Sequence, residues 1–181
     1  MSDPPLPSDI YLDTSTVVAA IIRGSHHSVP SAAFCTRLID HGSRVYFSRL
    51  LRLELAEAIR KLATKTESLP VDLRRDYQLD AWGTNFLVRQ RWMDFGVQQL
   101  EALLDRFAET FELPIRPRTW RSSLSVMVDH QFRAYDAIHV ATAREHHIRH
   151  IATADGHYRN VADLRVWLTQ DPPTARAVTI P

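Results

Sequence analysis

Residues 136–155, DAIHVATAREHHIRHIATAD, open as an alanine-dense helix and finish as a short apolar strand stopped by an acid. Ala137, Ala141 and Ala143 put small side chains on two faces of that helix, which suits close packing against a sheet. Asp136 in its first turn suits the positive end of the helix dipole. His150-Ile151-Ala152-Thr153 is strand-like and closes before Asp155. The same strand-then-acid pattern stands near the start of the chain. Ile10-Tyr11-Leu12 stops at Asp13-Thr14-Ser15-Thr16, and a helix through Val17–Ile22 follows.

Between these two anchors the periodicity continues to alternate. Ser31–His41 reads as a helix closing at Gly42, and Val45-Tyr46-Phe47 as a second strand. Leu51, Leu55, Ala58, Ile59 and Leu62 recur at helical spacing, so residues 49–63 form an amphipathic helix. Residues 64–112 are wholly helical in pattern, with a start signal at Pro70 and a stripe of Leu100, Leu103, Leu104, Phe107 and Phe111, and are read as a helical insertion. Leu113–Ile115 predicts a short edge strand, Trp120–Val128 and Tyr135–Glu145 predict helices, and Leu164–Leu168 predicts the last strand. Residues 1–8 hold three prolines and read as a flexible leader; 169–181 read as an irregular tail. Strands alternating with helices predict one α/β domain over 1–181. Its central parallel sheet of four to five strands is covered by helices on both faces, a three-layer sandwich.

Composition narrows the function classes. Of 181 residues, 45% are hydrophobic and 24% charged, which is ordinary for a packed domain. Lys and Arg number 22 against 21 Asp and Glu, so a strongly basic nucleic-acid coat is excluded. The single cysteine, Cys35, forms no internal disulfide and reads as core. With no long apolar run and no leader of the secretory kind, the expectation is a soluble cytoplasmic protein.

The chemistry-bearing residues are acids that follow apolar strands. In an open parallel sheet, ligands gather outside the carboxyl ends of the strands, near a reversal of strand order. Asp13 and Asp155 sit at two such ends; each also suits a helix N-cap, and both readings stand at this stage. Glu54 lies about 80° from the centre of its helix's apolar stripe, on the margin of the buried face, where a carboxylate needs water, a partner or a cation. Glu57, four residues before Lys61, reads as a surface ion pair. The nine histidines form no zinc pattern, and His139 reads as a packing or hydrogen-bonding residue. Six arginines (116, 118, 121, 133, 144 and 149) face three acids between 116 and 149, an excess suited to phosphates or to a solvated surface. Seven of the 16 aromatics fall between Tyr77 and Phe111 and read mainly as core of the insertion.

These residues carry a family resemblance. The chain resembles PIN-domain nucleases, and more narrowly the VapC-type toxins of bacterial toxin–antitoxin pairs. The matching pieces are LDTST around Asp13, SRLLRLEL ending past Glu54, AYDAIHVATA around Asp136, and IATAD ending at Asp155. The acids are separated by 41, 82 and 19 residues (13 to 54, 54 to 136, 136 to 155). The middle gap is longer than in compact members of the family. The resemblance implies a metal-dependent ribonuclease in which Asp13, Glu54, Asp136 and Asp155 gather around Mg²⁺ or Mn²⁺, with Ser15 and Thr153 as supporting polar residues. Asp13 and Asp136 would be the principal ligands, Asp155 would hold the same or a second ion, and Glu54 would ligate through water or orient the nucleophile. Gly156 and His157 stand where some relatives carry a further acid. Physics makes a parallel demand: two carboxylates ~5 Å apart repel by about 3 kcal/mol at an effective dielectric near 20, so four together require a cation or a shared proton. All-oxygen ligation selects a hard dication. The implied partners are an RNA substrate, a small antitoxin protein and a second copy of the chain, with no membrane. The rival readings are a non-catalytic PIN-like module that binds RNA or protein and a flavodoxin-like phosphate-transfer domain. Ser15, where a phosphoaspartate hydrolase carries a second acid, argues against the latter.

Overall fold

The computed structural model describes residues 5–22, 27–65, 69–169 and 177–178. Five parallel strands are β1 (Asp9–Leu12), β2 (Arg44–Ser48), β3 (Thr110–Leu113), β4 (His150–Thr153) and β5 (Arg165–Leu168). A two-residue β6 (Ala177–Val178) pairs antiparallel with β5. The sheet order is β3-β2-β1-β4-β5-β6. The chain therefore builds outward from β1 through β2 to β3, then returns to the other side of β1 as β4. That reversal opens a crevice at the carboxyl ends of β1 and β4.

Strand alternation assigns each side chain to a layer. Ile10 and Leu12 on β1, Ala152 on β4 and Trp167 on β5 face one core. Tyr11, Ile151, Val166 and Leu168 face the other. The first core is covered by α1 (Thr14–Ile21), α2 (Ser28–His41), α3 (Leu50–Ala63) and α5 (Phe86–Leu104), with α4 (Val71–Asp76) between the last two. The second lies under α6 (Pro117–His130) and α7 (Ala134–Glu145), whose Ala137, Val140 and Ala143 let the helix approach the sheet closely. The expected three-layer α/β/α sandwich is the observed one. α2 ends where Gly42 takes a left-handed φ of 73° and donates its N–H to Ile39 O.

Several element boundaries differ from the sequence expectations. The helical stripe drawn through Phe111 breaks after Leu104: Phe107 is buried in the following turn, and Phe111 lies on β3, stacked on Tyr46 at 4.9 Å. The edge strand is Thr110–Leu113 rather than Leu113–Ile115. Register explains both changes. Thr110 to Leu113 align with Val45 to Ser48, and Val45 N–H donates to Glu109 O, so tertiary pairing overrides the local helical period. The stretch 64–112 is accordingly not helical throughout. In the leader, residues 1–4 lie outside the described residues, but Leu6 packs on the first core and Pro7 O accepts from the buried Ser43 hydroxyl at 2.7 Å. The tail contributes β6 to the sheet; most of its remainder lies outside the described residues.

The inserted helix α5 docks on α3 through a close approach. A Cβ on Gly96 would stand 2.7 Å from Cγ1 of Ile59, which is itself buried. Trp92, fully buried, donates its indole N–H to Asp80 O at 2.8 Å, and Trp82 N–H donates to Ala63 O at the end of α3. Gly96→Val should lower unfolding free energy by about 2–4 kcal/mol through overpacking, read as a lower urea midpoint at unchanged slope. Gly96→Ala should cost less, because alanine returns about 1 kcal/mol of helix propensity.

Candidate active site

Asp13 follows β1 directly and is buried. Its N–H donates to Ala152 O at 2.9 Å, stitching the end of β1 to the end of β4. Its side chain makes no capping hydrogen bond to α1. Instead Oδ2 accepts from the hydroxyls of Ser15 and, at 2.8 Å, Thr153. Those hydroxyls are themselves oriented: Ala154 N–H donates to Ser15 Oγ and Asp155 N–H to Thr153 Oγ1. The carboxylate is thus locked by two strand ends, with Oδ1 turned toward the Tyr158 hydroxyl and His139 Nε2, each 3.5 Å away. Asp155 does cap: its Oδ1 accepts from His157 N–H at 2.9 Å at the start of the short 3-10 turn Gly156–Asn160, and His157 Nδ1 lies 2.8 Å from the same oxygen.

Glu54 comes from α3, half-buried at the margin of its apolar stripe. Its Oε2 accepts from the Thr14 hydroxyl at 2.5 Å and from His139 Nε2 at 2.7 Å. His139 is fully buried on α7, and its Nδ1 is hydrogen-bonded to the Tyr11 hydroxyl at 2.8 Å. Burial alone favours the neutral ring. Tyr11, the hydrogen bond to Glu54 and the charges of Asp13 and Glu54 outweigh it, and the imidazole holds a proton well above its usual range.

Asp13, Glu54, Asp136 and Asp155, with Ser15, line one cavity of about 830 Å³ at the carboxyl edge of the sheet. All four sequence-predicted acids are therefore brought to one place, from four different elements. Ser15 and Thr153, named as supporting polar residues, are the two that clamp Asp13. The crowding registers on Asp136, whose carboxyl is pushed up to about 6, first by burial and then by Asp13 and Asp155, against an opposing pull from His139. Tyr158 is pushed well up by burial and by the charges of Asp13 and Asp136, so its hydroxyl stays a donor. Arg133 and the half-exposed Tyr135 form one rim of the cavity. At the other end Arg60 and Lys61 are engaged with Glu57, Arg60 through two 2.8 Å hydrogen bonds.

The donor set, four carboxylates with the Ser15 and Thr153 hydroxyls beside them, fits a hard dication in its chemistry. Among the described residues, however, no three His, Cys, Asp or Glu side chains stand ready-made as a cage. Glu54 Oε2 is engaged by His139 Nε2, and Asp155 Oδ1 lies 2.8 Å from His157 Nδ1. The remaining sequence candidates resolve as structural. Cys35 is buried, and burial pushes its thiol up to about 12. His150 accepts from the Trp167 indole N–H. Arg116 and Arg118 pair with the nearly buried Glu145, and Arg144 with Asp163, leaving Arg133 as the member of that cluster that reaches the cavity. Sequence reasoning missed Thr14, Tyr11 and Tyr158. Thr14 sat inside the quoted DTST run as a signal, whereas Tyr11 read as an ordinary apolar strand residue and nothing in the local pattern singled out Tyr158.

The PIN domain family model matches residues 10–164. No curated protein matches the chain significantly. Among solved structures, the crystal structure of VapBC2 from Rickettsia felis, bound to a DNA fragment from their promoter, aligns with a TM-score of 0.53 and 12% identity over 87% of this chain and 96% of that one. At that identity the likeness is one of fold.

The raised Asp136 has a measurable consequence. Its proton is held more tightly in the folded than in the unfolded chain, so between about pH 4 and pH 6 the ion-free protein loses stability as pH rises. Discounted for partial exposure, the effect is about 1 kcal/mol. In EDTA, Asp136→Asn should melt higher than the parent at about pH 7, with the two converging near about pH 4. A gap constant across that range would show that neither burial nor the neighbouring acids raise this carboxyl.

Proposed function

The chain belongs to the PIN-domain family, and from that premise we propose that it is a Mg²⁺- or Mn²⁺-dependent ribonuclease, the VapC-type toxin of a toxin–antitoxin pair. The observation that carries this reading is the convergence of Asp13, Glu54, Asp136 and Asp155 on one cavity at the switch point of the sheet. Four carboxylates gathered there repel one another until a cation or a proton relieves them, a demand that a bound dication meets.

Asp13 and Asp136 would be the principal ligands, with Asp155 and Glu54 completing the set. The ion would supply Lewis acidity, making water more acidic and offsetting charge on the phosphodiester. The chain's own residues do the rest. Ser15 and Thr153 fix the direction of the Asp13 carboxylate. Glu54 orients water at the cavity wall. Arg133 on the rim attracts the phosphate of an approaching strand. Tyr135, half-exposed beside it, offers a face on which an unpaired base stacks.

A net charge of +1 suits a selective enzyme with few phosphate contacts. The VapBC fold likeness supports a small antitoxin as partner, and a second copy of the chain belongs to the same reading. No helix among the described residues is long and apolar enough to cross a membrane, which is compatible with a cytoplasmic site of action. The rival, a PIN-like module that binds RNA or protein without turnover, draws on the lack of a preassembled ligand cage among the described residues.

Incubation of the purified protein with mixed cellular RNA in EDTA, Mg²⁺ and Mn²⁺ separates the two. Cleavage should require the ion, and Asp13→Ala or Asp136→Ala should each reduce it about 10³-fold, the loss of several kcal/mol of charge stabilisation. Cleavage in EDTA, or full activity in both variants, would overturn the assignment. RNA bound without cleavage in any ion would favour the rival.

A further inference from the structure

The two oxygens of Glu54 are treated unequally. Oε2 is held twice, by the Thr14 hydroxyl at 2.5 Å and by His139 Nε2 at 2.7 Å. Oε1 accepts no hydrogen bond from any described residue, and Glu54 lines the cavity. An ionised carboxylate only accepts, so Nε2 carries a hydrogen and the opposite ring nitrogen meets Tyr11. That second contact is 2.8 Å long, with the two rings edge-on at a centroid distance of 5.7 Å. Tyr11 and His139 are both fully buried. A strand, a helix of one layer and a helix of the other are thereby joined in series from Tyr11 through His139 to Glu54.

We infer that the buried Tyr11–His139 pair is a positioning device of the candidate site, fastening Oε2 of Glu54 so that Oε1 is the oxygen presented to the cavity. His139 is placed behind the acids and acts mainly through Glu54, to which its Nε2 stands at 2.7 Å against 3.5 Å to Asp13 Oδ1, in the way hydrogen-bonded outer residues orient ligating carboxylates. A glutamate on a helix has three side-chain torsions to restrain; two hydrogen bonds to one oxygen select one rotamer. The inference rests on the reading that the acids hold a dication.

The test is a thermodynamic cycle between His139 and Glu54, read as Mn²⁺ affinity by calorimetry and separately as kcat and KM on RNA, with melting temperatures to establish folding. His139→Leu should weaken Mn²⁺ binding about 10–100-fold and lower kcat by a similar factor, with little change in KM. His139→Gln, which still presents an N–H toward Glu54, should recover most of that loss. Tyr11→Phe, which removes only the outer hydrogen bond, should fall between the parent and His139→Leu. In a Glu54→Gln background, His139→Leu should add little, because its route of action is already cut.

Equal losses in both backgrounds, or parental affinity and kcat in folded His139→Leu, would overturn the inference while leaving the nuclease reading standing. Mn²⁺ binding that follows the predicted cycle in a protein that cleaves no RNA would overturn the nuclease reading alone. A parent protein that binds no Mn²⁺ would overturn both.

Discussion

Everything at the carboxyl edge of this sheet depends on how the Asp13 carboxylate is held. It sits buried between two strand ends, and the backbone bond from its N–H to Ala152 O makes the β1–β4 junction and the site one piece of structure. Two hydroxyls fix one oxygen, and the other is turned toward the Tyr158 hydroxyl and His139 Nε2. A buried carboxylate needs such partners. Here they come from residues two positions away in sequence and from the neighbouring strand, so the anchor forms only when the parallel pair forms.

Around that anchor the other acids arrive on elements with different supports. Asp136 comes on α7, whose alanines allow it to lie close to the sheet. Asp155 comes at the end of β4, held by its capping role. Glu54 comes on α3, whose position is set from behind by α5 through the Gly96–Ile59 approach and the buried Trp92. The insertion therefore serves the site indirectly, by fixing the helix that carries one carboxylate. Burial first, and then the charges of Asp13 and Asp155, push the Asp136 carboxyl to about 6. Such a cluster is stable when a cation or proton relieves it, and that requirement gives the fold a chemical use.

Much of this was legible in one dimension. The alternation of apolar runs with helical stripes gave the α/β sandwich, and the strand-then-acid pattern at Asp13 and Asp155 pointed to the edge of the sheet where the four acids gather. The marginal position of Glu54 on its helix wheel matches its half-buried state. Boundaries fared worse where tertiary pairing competed with local pattern. Phe111 continued a helical stripe on paper, yet β2 offered its segment a ladder of backbone partners. The ambiguity of Asp13 between cap and site was also beyond the sequence; the structure shows its side chain bonded across strands and not to the helix it precedes.

What the sequence by itself determined was the identity of the acids, the periodicities that make strands and helices, and hence which end of the sheet gathers the carboxylates. Only the tertiary structure decided that Thr14 and His139 share Glu54's hydrogen bonds while Tyr11 holds the far side of His139, that three of the six arginines are tied to Glu145 and Asp163, and which carboxylate bears the strain of crowding. The reason is physical. Local pattern is set by steric and solvation preferences of neighbours along the chain, whereas hydrogen-bond partners and charge coupling depend on distances of a few ångströms between residues 40 to 140 positions apart.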